Sequence, residues 1–133
     1  MKTLVLIVDD NKDILFSVKE SLEADPSYSV ECASGGRECL EKMKSCKPDV
    51  ILMDIMMQEM DGFEVVAKIK ADEKSKKIPV MFLTAKTDKL SKGIGKAMSV
   101  EYIEKPFDPA DLKGRIEKII KRRHMYENNC PGS

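Results

Sequence analysis

Leu4, Val5, Leu6, Ile7 and Val8 form an unbroken apolar run, and Val50, Ile51, Leu52 and Met53 form another. Neither alternates with polar residues, the pattern of a strand covered on both faces within a parallel sheet. Beyond each run the period changes. From Asn11, Ile14, Leu15, Val18 and Leu22 recur at helical spacing with Asp13, Lys19, Glu20 and Glu23 on the other side, until Asp25 and Pro26 stop the helix. A short strand over Ser29 to Ala33 follows, and Gly35 and Gly36 precede a second helix that carries Leu40 and Met43 and ends near Pro48. After the second run, which stops at Asp54, a loop through Gly62 leads to a helix with Val65, Val66 and Ile69 inward.

The same alternation continues to the end of the chain. Pro79 to Leu83 reads as a fourth strand, Thr87 to Met98 as a helix with a thin apolar face of Leu90, Ile94 and Ala97, and Val100 to Ile103 as a fifth strand. A last helix starts near Pro109, whose fixed backbone angle suits a first helical turn, and turns Leu112, Ile116, Ile119 and Ile120 to one side. Five strand and helix pairs in strict alternation predict a doubly wound α/β domain, a parallel sheet between layers of helices with right-handed crossovers. The predicted domain covers residues 1–123, and residues 124–133 form a polar, frayed tail.

The 133 residues suffice for one compact domain. With 42% hydrophobic against 35% charged residues, the chain has the composition of a globular protein, not a disordered one. Lysine plus arginine and aspartate plus glutamate each number 23, so no global basic field holds nucleic acid. No window approaches the roughly 18 apolar residues of a membrane span, and Asp9 and Asp10 interrupt the first apolar run too early for a signal peptide, which predicts a cytoplasmic protein. Cys32, Cys39, Cys46 and Cys130 lack paired zinc-ligand spacing and read as reduced, structural thiols.

Doubly wound sheets bind ligands beyond the carboxyl ends of their strands, where strand order reverses. The strand exits carry Asp9 and Asp10 after the first strand, Asp54 after the third, Thr84 after the fourth and Lys105 after the fifth. An acidic doublet alone is as readily a strand end or a helix cap. If the first and third strands are central neighbours, however, three carboxylates, a hydroxyl and an ammonium converge on one crevice. Three negatives against one positive leave a deficit of two, and a like-charged pair at about 4 Å costs around 4 kcal/mol at an effective dielectric of 20. Oxygen donors without nearby His or Cys select a hard divalent cation, Mg²⁺ first, with Mn²⁺ as a substitute.

Together with VDD at Val8 to Asp10, LMDIMM at Leu52 to Met57, MDGFEV at Met60 to Val65, Thr84-Ala85 and YIEKPF at Tyr102 to Phe107, the chain resembles a response-regulator receiver domain of two-component signalling, of the stand-alone chemotaxis type. The resemblance spans about Leu4 to Arg123 and implies a flavodoxin-like five-stranded sheet in the order 2-1-3-4-5 with five helices. It implies a phosphorylation-activated switch, no enzyme beyond its own phosphorylation and slow dephosphorylation. A sensor histidine kinase or histidine phosphotransfer protein would supply the phosphoryl group to Asp54. Asp10, Asp54 and the backbone carbonyl of Met56 would contact Mg²⁺, Asp9 would support the site, and Lys105 would neutralise phosphoryl oxygens. Thr84 and Tyr102 would act as the switch, changing the surface of the fourth helix, fifth strand and fifth helix toward a downstream protein or an output domain, as a monomer or a phosphorylation-dependent dimer. The Lys105–Pro106 bond is commonly cis in the family.

Gln58 stands where many members have proline, and Met98 and Ser99 replace a small pair. Met56 and Lys86 fall on positions that tune phosphoryl lifetime and suggest slow self-dephosphorylation. Lys113, Arg115, Lys118, Lys121, Arg122 and Arg123 make the last helix basic, a solvated face first and a partner-docking or nucleic-acid patch second. Two other readings compete: a binding module on the same fold that works without phosphorylation, and a haloacid-dehalogenase-type phosphatase, whose DxD pair near the first strand is missing.

Overall fold

The computed structural model describes residues 2–85 and 101–128, with side chains as far as residue 124. In chain order the elements are β1 (Thr3–Val8), α1 (Lys12–Glu23), β2 (Tyr28–Ala33), α2 (Gly36–Lys42), β3 (Val50–Asp54), α3 (Gly62–Ala71), β4 (Val80–Ala85), β5 (Glu101–Lys105) and α4 (Pro109–Asn128). The strands form one five-stranded sheet in the order β2-β1-β3-β4-β5, parallel at every junction. This is the doubly wound order that the resemblance implies. The described residues hold four helices. The expected helix over 87–98 lies outside them, as do Lys86, Met98, Ser99 and Cys130.

The unbroken apolar runs are explained by alternation between two cores. Val5 and Ile7 of β1 with Val50 and Leu52 of β3 face one side, where Leu15, Val18 and Leu22 of α1 and Leu112, Ile116 and Ile119 of α4 cover them. Leu6, Val8, Ile51 and Met53 face the other, under Cys39 of α2 and Val65, Val66 and Ile69 of α3. A strand buried on both faces has no polar position to alternate with.

Local signals set the helix starts. The Asn11 side chain accepts from the Asp13 and Ile14 amides, and Asp61 accepts from the Glu64 amide at 2.9 Å, each satisfying donors that a first helical turn leaves unpaired. Asp108 does the same for α4 through the Ala110 amide at 2.8 Å.

Several boundaries differ from the expected ones. β4 runs on to Ala85 and β5 to Lys105, because Thr84 pairs with Glu104 and Ala85 with Lys105 in the ladder. Thr84 and Lys105 are therefore strand residues, not residues of the following loops. Pro79 stays outside β4 but lends its carbonyl to Ile51 N–H at 3.0 Å. α2 stops at Lys42 and does not reach Pro48, since the Lys44 and Ser45 amides turn back to the carbonyls of Glu41 and Lys42. α4 continues to Asn128.

Most of the basic residues of α4 are tied to the body of the domain. Arg122 lies 2.7 Å and Arg115 3.7 Å from Glu101 of β5, Lys113 lies 2.6 Å from Asp25, and Arg123 reaches the Asp49 carbonyl. Tyr28 adds a hydroxyl bond of 3.2 Å to Glu117. Through these contacts the helix grips β5, the α1–β2 corner and the residue just before β3. Cys32, Cys39 and Cys46 are free thiols, the first packed in one core and the second in the other, so their seven-residue spacing builds no common face. No helix among the described residues is long and apolar enough to cross a membrane.

Candidate functional site

The central adjacency of β1 and β3 brings the acidic strand ends together. Asp9 follows β1 directly and donates its own amide to the Ala33 carbonyl at 3.1 Å. Its side chain is completely buried, yet both oxygens are bonded: Oδ1 accepts from the Asn11 amide at 2.9 Å and Oδ2 from the Lys105 ammonium at 2.7 Å. Asp54 ends β3 with only 6% of its surface exposed, and its Oδ1 lies 3.2 Å from Lys105 Nζ. Asp10 is exposed at the mouth. Asp9, Asp10 and Asp54 each offer an oxygen within 4.8 Å of the others.

The electrostatics follow from burial and charge count. Burial pushes the Asp54 carboxyl up to about 6, with the Asp9 charge adding to it and Lys105 opposing it. Burial pulls the Lys105 ammonium down, but its bonds to Asp9 and Asp54 and their charges outweigh that, leaving its pKa above the ordinary lysine value. One cation thus serves two carboxylates, and the third stands beside them.

Thr84 lies one position beyond Leu83, the register partner of Asp54 on β4. It is 1% exposed, and its hydroxyl has no hydrogen-bond partner among the described residues. An unsatisfied buried hydroxyl costs on the order of 1–3 kcal/mol, so such groups call for an explanation. Tyr102 pairs in register with Phe82 and is half-buried against the core under α2 and α3. Met56 follows Asp54 by two residues with its side chain 68% exposed. Among the described residues, no hydrogen bond or ion pair joins the side chains of Tyr102 or Met56 to the carboxylate cluster. The Lys105–Pro106 peptide bond is cis.

Two neighbours of the site were not singled out from the sequence. Asn11 both caps α1 and, through its backbone N–H, orients the buried Asp9 carboxylate. Gly62, the first residue of α3, packs directly against the backbone behind Asp54. A Cβ there would collide with the Asp54 carbonyl oxygen and lie 3.0 Å from the Ile55 Cα, while the Gly62 amide donates to the Ile55 carbonyl at 2.8 Å. The signal for both was local: an Asn directly after the acidic doublet, and a Gly directly after a helix-capping Asp.

Comparisons with known proteins agree with this fold. Residues 5–117 match the response regulator receiver domain family. The chain is 33% identical over 126 residues to the alkaline phosphatase synthesis transcriptional regulatory protein PhoP of Bacillus subtilis, covering 94% of this chain and 51% of that protein. It is 35% identical over 123 residues to histidine kinase P4 of Formosa agariphila, covering 92% of this chain but 9% of the kinase. Among solved structures, the chemotaxis protein CheY4 of Vibrio cholerae superposes with a TM-score of 0.80 at 35% identity, over 89% of this chain and 98% of that one. The chain spans about half the length of the curated transcriptional regulators it matches. With the family match covering most of its length, the strand order the same and an acidic cluster at the carboxyl ends of the strands, the chain belongs to the response regulator receiver domain family.

Proposed function

We propose that this chain is a phosphorylation-activated switch whose acceptor is the Asp54 carboxylate. The observation that carries the reading is the meeting of Asp9, Asp10 and Asp54 at the ends of the central strands, with the Lys105 ammonium on two of them. Receiver domains are signalling domains, and the phosphatase alternative gives way to the family assignment.

In the proposed reaction an Asp54 oxygen attacks the phosphorus of a partner's phosphohistidine. The new acyl phosphate bond forms as the phosphorus–nitrogen bond breaks, and the imidazole nitrogen leaves with the electron pair. A carboxyl with a pKa of about 6 is mostly ionised near neutral pH and retains more basicity than an ordinary aspartate. Its burial among fixed charges favours a transfer that depends on positioning and charge neutralisation. Lys105, already on Asp54 Oδ1, would follow the charge onto the phosphoryl oxygens. The unpartnered Thr84 hydroxyl would donate to one of them, and Tyr102 would respond on β5.

The donor set fits a hard cation, because it is all oxygen and carries two more negative than positive charges. Asp10, Asp54 and the Met56 carbonyl would hold Mg²⁺ or Mn²⁺, with Asp9 supporting it, and the ion would neutralise the cluster and the incoming phosphoryl oxygens. The proposed phosphodonor is a sensor histidine kinase or a histidine phosphotransfer protein, the recipient of the signal a downstream protein or output domain, and the compartment the cytoplasm, which suits the free thiols.

Incubation with acetyl phosphate and Mg²⁺, followed by intact mass and hydroxylamine treatment, tests this reading. One hydroxylamine-labile phosphoryl adduct, absent from Asp54→Asn, is expected. Absence of any adduct with both small donors and phosphohistidine proteins would favour a binding module that works without phosphorylation.

A further inference from the structure

β2 is an edge strand, paired on one side with β1 through the register from Thr3–Tyr28 to Val8–Ala33. Such an edge presents backbone donors and acceptors at every second residue and is a template for another strand. Here the outward positions are Tyr28, Val30 and Cys32, and side chains occupy three of their backbone groups, both of Val30 and the carbonyl of Cys32. Glu23 of α1 takes the Val30 N–H at 2.9 Å, Lys19 of the same helix donates to the Val30 carbonyl at 2.9 Å, and Lys42 of α2 donates to the Cys32 carbonyl. The Tyr28 N–H is turned back to the Asp25 carbonyl at 3.0 Å. The edge is therefore capped from the helices on both faces of the sheet.

The caps are themselves held in place. Lys19 lies 3.4 Å from Glu23 at a one-turn spacing, and Lys42 lies 3.5 Å from Glu31 and 3.8 Å from Glu38. The Glu23 carboxyl is held below the usual carboxylate range, first by its bond to the Val30 amide. Capping an exposed edge by charged side chains costs their rotamer freedom, and neither the phosphoacceptor cluster nor either core uses these bonds.

We propose that Lys19, Glu23 and Lys42 guard the β2 edge against pairing with the β2 edge of a second copy of this chain. The second copy is the occupant that the strand fits. Two β2 edges meeting about a two-fold axis run antiparallel and exchange the Val30 N–H and C=O that Glu23 and Lys19 now occupy. The same charged ends would be forced together in a pair of capped copies, so the guard acts by occupancy and by charge.

The test is the triple variant Lys19→Ala, Glu23→Ala, Lys42→Ala of the 133-residue chain, read by amide hydrogen exchange at Val30 and by sedimentation across protein concentration. At low concentration Val30 exchange should accelerate about tenfold, the loss of one typical hydrogen bond. At high concentration the variant should sediment as a dimer with Val30 protected again, whereas the parent chain gains no protection there. A variant that stays at the parent's size with an accelerated Val30 amide overturns the proposal, as does association that leaves Val30 unprotected or exchange no faster than in the parent. Should the triple variant not fold, the double variant Lys19→Ala, Glu23→Ala, which frees both backbone groups of Val30, gives the same readings there.

Discussion

Lys105 Nζ lies 2.7 Å from Oδ2 of Asp9, a completely buried carboxylate 96 residues earlier in the chain. Among the described residues, the Asp9 carboxylate is otherwise bonded only to the Asn11 amide. Replacing Lys105 by Met leaves a buried anion beside Asp54 without its counter-charge. A loss of about 3 kcal/mol is expected in urea unfolding without divalent ions, the usual scale for stripping one partner from a buried pair. Added Mg²⁺ should recover more stability in Lys105→Met than in the parent, as a rise in the unfolding midpoint.

Asp54 links stability to pH with an uncommon sign. Its folded carboxyl titrates near 6, above the ordinary value of 3.8, so between these values the folded state binds more protons than the unfolded one. Stability from this group is full below about pH 4 and declines as pH rises through 6. Asp54→Asn removes that penalty, so it should be more stable than the parent by about 1–3 kcal/mol at pH 7.5 and converge with it near pH 4. Urea titrations at four or five pH values, without divalent ions, read the difference directly.

Thr84→Val keeps the shape of the side chain and removes a buried hydroxyl that has no partner among the described residues. The expected change in unfolding free energy is a gain of about 1 kcal/mol. If the hydroxyl receives a phosphoryl oxygen, the same variant should still be labelled by acetyl phosphate yet show smaller amide shift changes along β4 and β5. A Thr84→Val protein less stable than its parent would mean that the hydroxyl is satisfied in solution.

Gly62→Ala is predicted to act on the site from behind. The added carbon meets the Asp54 carbonyl and the Ile55 backbone, neither of which can swing away as a flexible side chain would. A destabilisation of about 1–3 kcal/mol is expected from overpacking. The labelling rate of Asp54 should fall by more than that of an equally destabilised variant in the α1 core, such as Leu22→Val, because a displaced β3 end moves the proposed acceptor itself.

The central strands were plain in the sequence because Val5 to Val8 and Val50 to Met53 are buried on both sides, and such positions favour apolar residues. Asp9 and Asp54 were legible as the polar groups that interrupt those runs, and Lys105 as a charge beyond the apolar stretch of the fifth strand. What stayed hidden depends on pairing. Thr84 and Lys105 read as loop residues since Glu104 and Lys105 end the apolar pattern, whereas the β4–β5 ladder carries through both. The end of α2 was equally opaque, because Lys44 and Cys46 suit a helix as well as the turn they occupy. Gly62 gave no sign of its role, as a missing Cβ matters only when the Asp54 carbonyl is known to lie against it.

The acidic cluster and its ammonium come from the ends of β1, β3 and β5, the last of them reached only through β4. No stretch of the chain carries the cluster by itself, and a molecule whose sheet has not closed keeps these groups tens of residues apart. The competence proposed for this spot would therefore be a certificate of completed folding: a nascent or half-unravelled copy would be chemically mute until its last strand docks.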